Sequence, residues 1–290
     1  MSNSVDEHTR CGIPTGSFLE SIQRSIQVRY ELGNVTSMGP RASVDWRCYP
    51  CTILSEHTGG TLRIEYADGS VYEVEDGEAF CIRASKVHTV IKTSDADSLS
   101  RWAHVNFLVF GSVDLLSLLE VPVIYRGELA GRIGRLCEEL VWVHRTAEPD
   151  LLTAIRDRAL GLELAQAIIE GASQMAPHSA RFQAVKRLAP VLNYIEANIG
   201  RPIPNRELTG LLDLSRERLH ALFKEGLERS PSQFILDHRM RRAQQLLVSQ
   251  DITIRAVAAA CGYDDQFHFS RLFKARFAVS PLRYRELSRR

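Results

Sequence analysis

Apolar and polar residues alternate along the N-terminal part of the chain, between residues 44 and 125. Leu62–Tyr66 shows this alternation, and Val71–Val74 resumes it after Asp68-Gly69, which is the sequence of a tight turn. Further strand-like runs are Ala79–Ile82, Thr89–Lys92, Trp102–Phe110 and Val121–Tyr125. Many short strands separated by turns predict a barrel or a double-sheet roll.

From Leu129 onward the apolar residues recur every three or four positions, which is the period of a helix. One predicted helix has Ile133, Leu136, Leu140 and Val143 on a common face. A second predicted helix places six apolar residues on one face: Leu152, Ile155, Ala159, Leu162, Ala165 and Ile169. Two adjacent amphipathic helices could pack on the barrel or pair with a second subunit.

The rest of the chain is predicted to be helical, with short breaks that carry helix end signals. Ser215 is expected to cap one helix through its side-chain oxygen, and Pro231 to open the next. Asp251 or Thr253 is expected to cap the helix after that. The predicted helices are Ala184–Asn198, Asn205–Leu212, Arg216–Gly226, Ser232–Val248, Ile254–Ala260, Asp265–Arg276 and Pro281–Glu286.

One sequence pattern occurs twice in this helical region. Phe-Lys, five residues, Ser-Pro, two residues and an aromatic residue occupy 223–234 and again 273–284. Five matched positions share an offset of 50 residues, which chance does not explain, so the chain contains two copies of one helical unit. The matched pairs are Phe223 and Phe273, Lys224 and Lys274, Ser230 and Ser280, Pro231 and Pro281, and Phe234 and Tyr284.

Each copy of the pattern is preceded by a short predicted helix and a tight turn. The short helices are 207–212 and 256–261, and the turns are 213–214 and 262–264. A longer helix with a polar and basic outer face follows each turn. This arrangement predicts two helix-turn-helix units, a DNA-binding motif.

The net charge of +1 hides a strong asymmetry. Residues 181–290 carry 20 Lys and Arg against 11 Asp and Glu, a net of +9, whereas residues 1–180 carry a net of −8. A basic segment joined to an acidic one indicates that only the C-terminal part meets a polyanion. Charge alone leaves open a solvated basic face without a partner.

The second copy resembles the signature of the AraC/XylS transcription regulators. The resemblance lies in Asp251–Tyr263, Phe267–Lys274 and Ser280–Tyr284, and Arg239–Ala243 with Leu246-Leu247 resembles that family's connecting helix. It covers about residues 185–287. It implies two helix-turn-helix units held rigidly by one helix and entering successive major grooves on one face of DNA.

The N-terminal part resembles the cupin-like effector domain of the same family, through Tyr72–His88 and Trp102–Phe107. The expected fold class is therefore α+β and multidomain: an N-terminal cupin-like β-roll with two appended helices, and a C-terminal all-α domain with two helix-turn-helix units. The expected domains are an effector-binding domain at 1–127, a helical dimerisation or packing region at 128–176, a linker at 177–184 and a DNA-binding domain at 185–290.

The residues expected to contact DNA lie on the N-terminal outer faces of the two recognition helices. Arg271 could donate two hydrogen bonds to guanine, Gln266 could pair with adenine, and Glu217 could accept from cytosine. Phe267 could touch a thymine methyl or pack beneath its helix, and His220 could contact a base or only be exposed. Lys224 and Lys274 are expected to meet phosphates. The base-facing set is Arg216, Glu217, His220, Ala221, Gln266, Phe267, Ser270 and Arg271.

Two positions depart from the family pattern. The family often has glycine just after each recognition helix, where the chain turns left-handed, and this sequence has Glu228 and Ala278 there. A residue other than glycine in that conformation costs about 1 kcal/mol or more. The ends of the recognition helices are therefore expected to differ in detail from the family pattern, without changing the fold.

The candidate effector contacts in the N-terminal domain are two histidines and two tryptophans: Trp46, His88, Trp102 and His104. A pocket combines apolar walls with a few placed polar groups. A sugar or another carbon source is the commonest effector in this family. A regulator with no small-molecule effector is the second hypothesis.

A metal-dependent cupin enzyme is the remaining hypothesis, and it needs about three clustered ligands. His57, His88 and His104 are available, but the H-x-H spacing with a following Glu that is typical of metal cupins is absent. We therefore expect no metal, no cofactor and no catalytic activity. Cys48 and Cys51 form a C-x-x-C pair without a second ligand pair, so we interpret them as ordinary core cysteines.

The family resemblance implies four partners: double-stranded DNA, a small-molecule effector, a second copy of the chain as a homodimer, and RNA polymerase. No apolar run reaches the roughly 18 residues of a membrane span, so no membrane partner is expected. The polar segment Met1–Pro14 lacks an apolar signal core, which predicts a cytoplasmic protein.

Overall fold

A computed structural model describes residues 18–146, 148, 150–172 and 180–288. Its secondary-structure elements are, in chain order, α1 (Phe18–Ser25), β1 (Gln27–Met38), β2 (Ser43–Arg47), β3 (Thr52–Thr58), β4 (Leu62–Tyr66), β5 (Val71–Val74), β6 (Ala79–Ile82), β7 (His88–Lys92), β8 (Ser98–Val109), β9 (Val113–Asp114), a 3₁₀ helix (Leu115–Leu118), β10 (Ile124–Tyr125), α2 (Gly127–Thr146), α3 (Leu151–Glu170), α4 (Ala180–Asn198), α5 (Asn205–Gly210), α6 (Arg216–Leu227), α7 (Pro231–Ser249), α8 (Ile254–Ala260), α9 (Gln266–Phe277) and α10 (Pro281–Ser288).

The strands form two antiparallel sheets, which confirms the predicted β-roll. One sheet has the order β1-β8-β3-β6-β10, with β9 beside β8, and the other has the order β2-β7-β4-β5. The predicted hairpin is formed by β4 and β5, with Leu62 opposite Val74. Apolar side chains from both sheets, among them Ile53, Phe80 and Val90, pack into one buried cluster. Burial of these residues stabilises the roll.

Strand β1 was not expected from the sequence, although it pairs with β8 over almost its whole length. Gly33-Asn34 interrupts the apolar pattern and looks like a turn. In the structure a Cβ on Gly33 would lie 2.6 Å from the Trp102 carbonyl oxygen and 2.9 Å from Val141 Cγ2. Gly33 therefore permits a close approach of α2 to the sheet rather than a turn.

Helix α2 lies against the sheet on the face that the sequence predicted, with Ile133, Leu136, Leu140 and Val143 buried. Gly134 brings the helix close to Glu56, because a Cβ there would meet the Glu56 side chain at 2.8 Å. Glu56 is itself buried and forms a two-point ion pair with Arg101, with N–O distances of 2.7 and 2.9 Å. The pair satisfies a carboxylate that would otherwise be costly to bury.

The predicted apolar face of α3 is wrong except at Ala165, since of its six residues only Ala165 is buried. The buried residues of α3 are Leu160, Gly161, Leu164, Ala165, Ala167 and Ile168. Leu152 and Ile155, on the predicted face, remain 73% and 57% exposed. Periodicity identified the helix correctly, but a second apolar stripe competes with the one that packs.

The C-terminal helices agree with the predicted ones to within a few residues, and the predicted end signals are confirmed. Ser215 accepts a hydrogen bond from the Arg218 amide, and Thr253 accepts one from the Ala256 amide. Pro231 is the first residue of α7, and Ser230 completes a capping box with Gln233. The predicted all-α domain with two helix-turn-helix units, α5–α6 and α8–α9, is therefore confirmed.

The chain divides into two compact units. One comprises Ser25–Gln183, and the other comprises residues 18–24 with 184–288. The predicted linker 177–184 overlaps α4, which begins at Ala180, and its residues 177–179 lie outside the described residues. The segment 1–14, in which no signal peptide was predicted, also lies outside them. The finer domain boundaries stay predictions. Within the described part, none of the helices has both the length and the apolar character that crossing a bilayer requires.

Candidate nucleic-acid interface and ligand cavity

The two recognition helices, α6 and α9, are twelve residues each and are built alike. Each begins at a side-chain cap: Ser215 Oγ accepts from the Arg218 amide at 3.2 Å, and Asp265 Oδ1 accepts from the Phe267 amide at 2.8 Å. Each ends at a left-handed residue, Glu228 with φ 57° and Ala278 with φ 62°. Side-chain caps therefore fix the start of both helices, and both helices end at a left-handed residue in the same position of the repeat.

Most of the residues expected to read bases are exposed to solvent on these helices, and three are half-buried. Phe267 is 70% exposed, which excludes packing beneath α9 as its role. The buried side of the same helix is formed by Phe269 and Phe273. Of the ten predicted DNA contacts, the exposed ones are Arg216, Glu217, Ala221, Lys224, Phe267, Arg271 and Lys274, and the half-buried ones are His220, Gln266 and Ser270.

The charges on the two outer faces differ. The side chains of Arg271 and Lys274 on α9 form no hydrogen bond or ion pair with any other described residue, so their charges are free for an anionic partner. On α6, Lys224 Nζ lies 3.4 Å from the Glu228 carbonyl oxygen. The Glu217 backbone amide and the Ser215 hydroxyl lower the pKa of the Glu217 carboxyl. Glu217 is therefore ionised at neutral pH and can only accept hydrogen bonds.

Helix α7 connects the two helix-turn-helix units through polar contacts as well as packing. Asp237 pairs with Arg229, just after α6, at 2.9 Å and with Arg276 on α9 at 3.7 Å. Arg239 donates to the Arg201 carbonyl at 2.6 Å, and its guanidinium lies 5.2 Å from the Tyr263 ring centroid in the second turn. These contacts hold both recognition helices to one rod, about 28 Å long at 1.5 Å per residue.

A cavity of about 260 Å³ lies between the two sheets of the other unit. Its walls are mainly apolar and include Ile53, Phe80 and Val90. Trp102 and His104, which the sequence singled out, both line it, whereas Trp46 and His88 do not. The volume is slightly below the range of about 300–1,000 Å³ for pockets that bind drug-sized ligands, so it suits a small ligand.

Trp46 points away from the cavity because β2 contains a bulge. Ser43 and Val44 pair in register with Ile91 and Val90, but Arg47 rather than Trp46 stands opposite His88. The extra residue reverses the alternation, so Val44 and Arg47 share the face that lines the cavity. Trp46 is 54% exposed as a result. Sequence reasoning missed Arg47, since strict alternation places it on the other face.

His88 does not line the cavity, but it contacts Arg47, which does. Its Nδ1 lies 2.9 Å from the Lys86 carbonyl oxygen, and its Nε2 lies 3.4 Å from Arg47 Nε. Burial lowers the pKa of His88. The neutral ring therefore donates from Nδ1 and accepts from Arg47 at Nε2.

His104 is a buried polar residue of the cavity. Its ring packs against Tyr49 and Trp102, with centroid distances of 4.7 and 5.3 Å. Burial, together with the nearby charge of Arg47, lowers the pKa of His104 to about 4. Its Nδ1 is buried and forms no hydrogen bond with any described residue. A buried nitrogen in this state is a candidate ligand contact.

Of the three histidines considered as metal ligands, His88 and His104 are near enough to each other that, in addition to burial and Arg47, positive charge on His88 lowers the pKa of His104. His57 Nδ1 lies 3.0 Å from Ser100 Oγ, and burial lowers the pKa of its ring. Among residues 18–146, 148, 150–172 and 180–288, no group of three His, Cys, Asp or Glu side chains is arranged to hold a metal ion. Burial raises the pKa of the Cys51 thiol to about 11, so that cysteine is not a reactive thiolate.

Known proteins are similar to this chain above all in the helical unit. The profile of a helix-turn-helix domain matches residues 208–287. The HTH-type transcriptional regulator CdhR of Pseudomonas aeruginosa is 30% identical over 139 residues, which cover 46% of this chain and 41% of that protein. The chain spans 41–44% of the length of the first three curated relatives it matches.

A longer match decides the family. The HTH-type transcriptional activator RhaR of Pectobacterium atrosepticum is 30% identical over 224 residues, which cover 74% of this chain and 77% of RhaR. The chain belongs to the AraC/XylS family of transcription regulators. A crystal structure of an AraC-type transcriptional regulator from Chromobacterium violaceum is 30% identical, covering 37% of this chain and 95% of that one, with a TM-score of 0.35.

Glu228 and Ala278, the two residues that depart from the AraC/XylS pattern, lie where the backbone conformation is strained for residues other than glycine. Both Glu228 and Ala278 have the left-handed backbone expected there. The amide of each still closes its helix, donating to the Lys224 and Lys274 carbonyls at 3.0 and 2.8 Å. The sequence therefore keeps the family's turn at both sites without the residue that adopts it most easily.

Proposed function

We propose that this chain is a sequence-specific DNA-binding transcription regulator that lays α6 and α9 in successive major grooves on one face of double-stranded DNA. The observation that carries the proposal is the pair of recognition helices with solvent-facing polar and basic residues, both braced by α7 through Asp237. The excess of positive charge in residues 181–290 supports the same conclusion.

The proposed base contacts follow from side-chain chemistry. Arg271 is proposed to read guanine through two hydrogen bonds, Gln266 adenine, and the ionised Glu217 cytosine. Phe267, which is highly exposed, is proposed to contact a thymine methyl. Arg216, His220, Ala221 and Ser270 complete the base-facing set, while Lys224 and Lys274 are proposed to bind phosphates.

Genomic footprinting of the purified full chain tests the proposal. We expect a small number of high-affinity sites, each bound at least about 10³-fold more tightly than random DNA at the same salt concentration. Uniform, weak binding to all DNA would contradict sequence-specific regulation. The genes beside the bound sites would also indicate which compounds to test as effectors.

A small-molecule effector is proposed to bind in the cavity of the other unit, against Trp102 and His104. The apolar walls support this assignment, as does the His104 nitrogen that has no partner among the described residues. A regulator without an effector is the alternative. Thermal unfolding of the full chain with a panel of cell-derived compounds separates the two, because a ligand of the folded state alone raises Tm.

A homodimer is proposed to form through the exposed apolar face of α3 and the neighbouring Trp142. Leu151, Leu152 and Ile155 are 77%, 73% and 57% exposed, and Trp142 is 53% exposed. Sedimentation velocity should show a dimer that the double substitution Leu152→Glu with Ile155→Glu converts to a monomer.

The control for this experiment is Leu19→Glu, which places the same charge at an exposed leucine on α1, outside the proposed interface. It should leave the dimer intact. A monomeric wild type, or a dimer that survives the double substitution, would contradict this interface. RNA polymerase is proposed as a further partner on the basis of family membership.

A further inference from the structure

Arg47 places an uncompensated positive charge at a cavity with otherwise apolar or neutral walls. Of the described residues that line the cavity, Arg47 is the one with a charged side chain. Within the described part of the chain, its guanidinium makes one hydrogen bond, to His88 Nε2 at 3.4 Å, and no ion pair. Its Cζ lies 5.5 Å from the Tyr49 ring centroid, which helps to fix the side chain. The terminal nitrogens of Arg47 make no hydrogen bond with a described residue, so they are available to an anion.

Three of the four hydroxyl groups that line the cavity are engaged within the protein, whereas the Tyr49 hydroxyl makes no hydrogen bond with a described residue. Thr36 Oγ1 accepts from Trp102 Nε1 at 3.1 Å, and Ser100 Oγ lies 3.0 Å from His57 Nδ1. Ser55 Oγ donates to a backbone carbonyl at 3.5 Å. A polyol would bury several hydroxyls against walls that offer few free partners, and each unpaired hydroxyl is costly.

We propose that the effector is a small monocarboxylate with an apolar body, and that Arg47 pairs with its carboxylate while the apolar walls enclose the rest. A guanidinium matches a carboxylate with two parallel hydrogen bonds. One guanidinium balances one negative charge, so a monoanion fits better than a dianion. The inference deepens the proposed effector function and rests on it.

Binding of phenylacetate and of its neutral analogue phenylacetamide to the full chain tests the inference, with intrinsic tryptophan fluorescence and calorimetry as the measurements. The two probes have nearly the same shape, so their difference reports the charge. We expect phenylacetate to bind at least about tenfold more tightly, as for a hydrogen bond to a charged group. Phenyl phosphate, a dianion, and arabinose, a neutral sugar, should both bind more weakly than phenylacetate.

Arg47→Met should abolish the preference for phenylacetate over phenylacetamide, and Arg47→Lys should retain part of it. Arg63→Met is the matched control, because Arg63 lies on β4 and pairs with Glu73 at the surface, outside the cavity. Thermal unfolding confirms that each variant folds. If Arg47→Met does not fold, the comparison of wild type with Arg47→Lys still measures the contribution of the guanidinium.

Three results would overturn the inference: phenylacetamide or arabinose binding as tightly as phenylacetate, an unchanged preference in Arg47→Met, or no binding of any carboxylate. DNA binding by the same samples without ligand distinguishes these failures from failure of the proposed function. Intact sequence-specific DNA binding beside any of the three results would reject the carboxylate and leave the regulator in place.

Discussion

The two helix-turn-helix units have the same order of helices and turns. They differ in how each recognition helix contacts the helix that packs against it. In the first unit α6 approaches α4 closely at Gly226, where a Cβ would lie 3.1 Å from Ala184 Cβ and 3.2 Å from the Val185 nitrogen. Fifty residues later the matching position is Arg276, which reaches Asp237 on α7 at 3.7 Å. The first unit uses close helix contact where the second uses an ion pair.

The outer faces differ even more than the supports. Ala221 on α6 matches Arg271 on α9, and Glu217 matches Phe267. Among the buried positions, Phe223 and Phe273 are identical and Leu219 is matched by Phe269, so both units keep an apolar residue where they pack. The solvent-facing residues at 221/271 and 217/267 are free to differ because they do not pack inside the protein. We expect each unit to read a different half of the DNA site.

The largest expected effect is that of Arg271→Ala on DNA affinity. Loss of a two-point contact with guanine should weaken specific binding by about 1–3 kcal/mol and relax the preference at one base pair. Titration of the operator and its single-base variants measures both. Arg187→Ala, at an exposed arginine on α4, is the control for lost charge. Unchanged affinity and base preference in Arg271→Ala would contradict the proposal that Arg271 reads a guanine.

Glycine at either left-handed helix end should stabilise the protein. Glu228→Gly and Ala278→Gly each relieve a strained backbone, so we expect each to raise the free energy of unfolding by about 1 kcal/mol. Chemical denaturation measures the gain. Ala275→Gly, at an exposed helical position three residues before Ala278, should instead lower it by about 1 kcal/mol. If Glu228→Gly and Ala278→Gly both lowered the free energy of unfolding, the left-handed backbone at these two helix ends would be contradicted.

Gly226→Ala should destabilise the first unit by about 1 kcal/mol, because the contacts at 3.1–3.2 Å involve α4 backbone and short side chains that cannot move away. Gly210 offers the matched control, since a Cβ there meets nothing within 4 Å. Gly210→Ala should be neutral or slightly stabilising. Equal effects of the two substitutions on the denaturation midpoint would mean that α6 and α4 are not in close contact.

The smallest expected effect concerns Phe267 and thymine. Replacing the contacted thymine by uracil removes one methyl group, worth about 0.8 kcal/mol or roughly fourfold in affinity. Wild type should show this loss at one position, and Phe267→Ala should show none. A comparable loss in both proteins would assign the methyl to another contact.

Local signals made the helical unit predictable from the sequence. Caps such as Ser215 and Thr253 and the repeated Ser-Pro pairs act within a few residues, so their effect can be recognised without knowing the tertiary structure. The repeat at a 50-residue offset then related the two units to each other.

The roll was less predictable because long-range packing decides its details. Gly33 marks the close approach of a distant helix rather than a turn. Because of the bulge in β2, Arg47 rather than Trp46 lines the cavity, and no local sequence pattern predicts this bulge. On α3 two apolar stripes compete, and only contact with the rest of its unit determines which one is buried.

Hydroxyl-radical footprinting of the full chain on a bound site tests the central claim most directly, namely that α6 and α9 occupy successive major grooves. The expected result is two protected stretches on one face of the duplex, separated by about 10–10.5 base pairs. Arg271→Ala should weaken one stretch more than the other. A single protected stretch, or two on opposite faces, would contradict the arrangement.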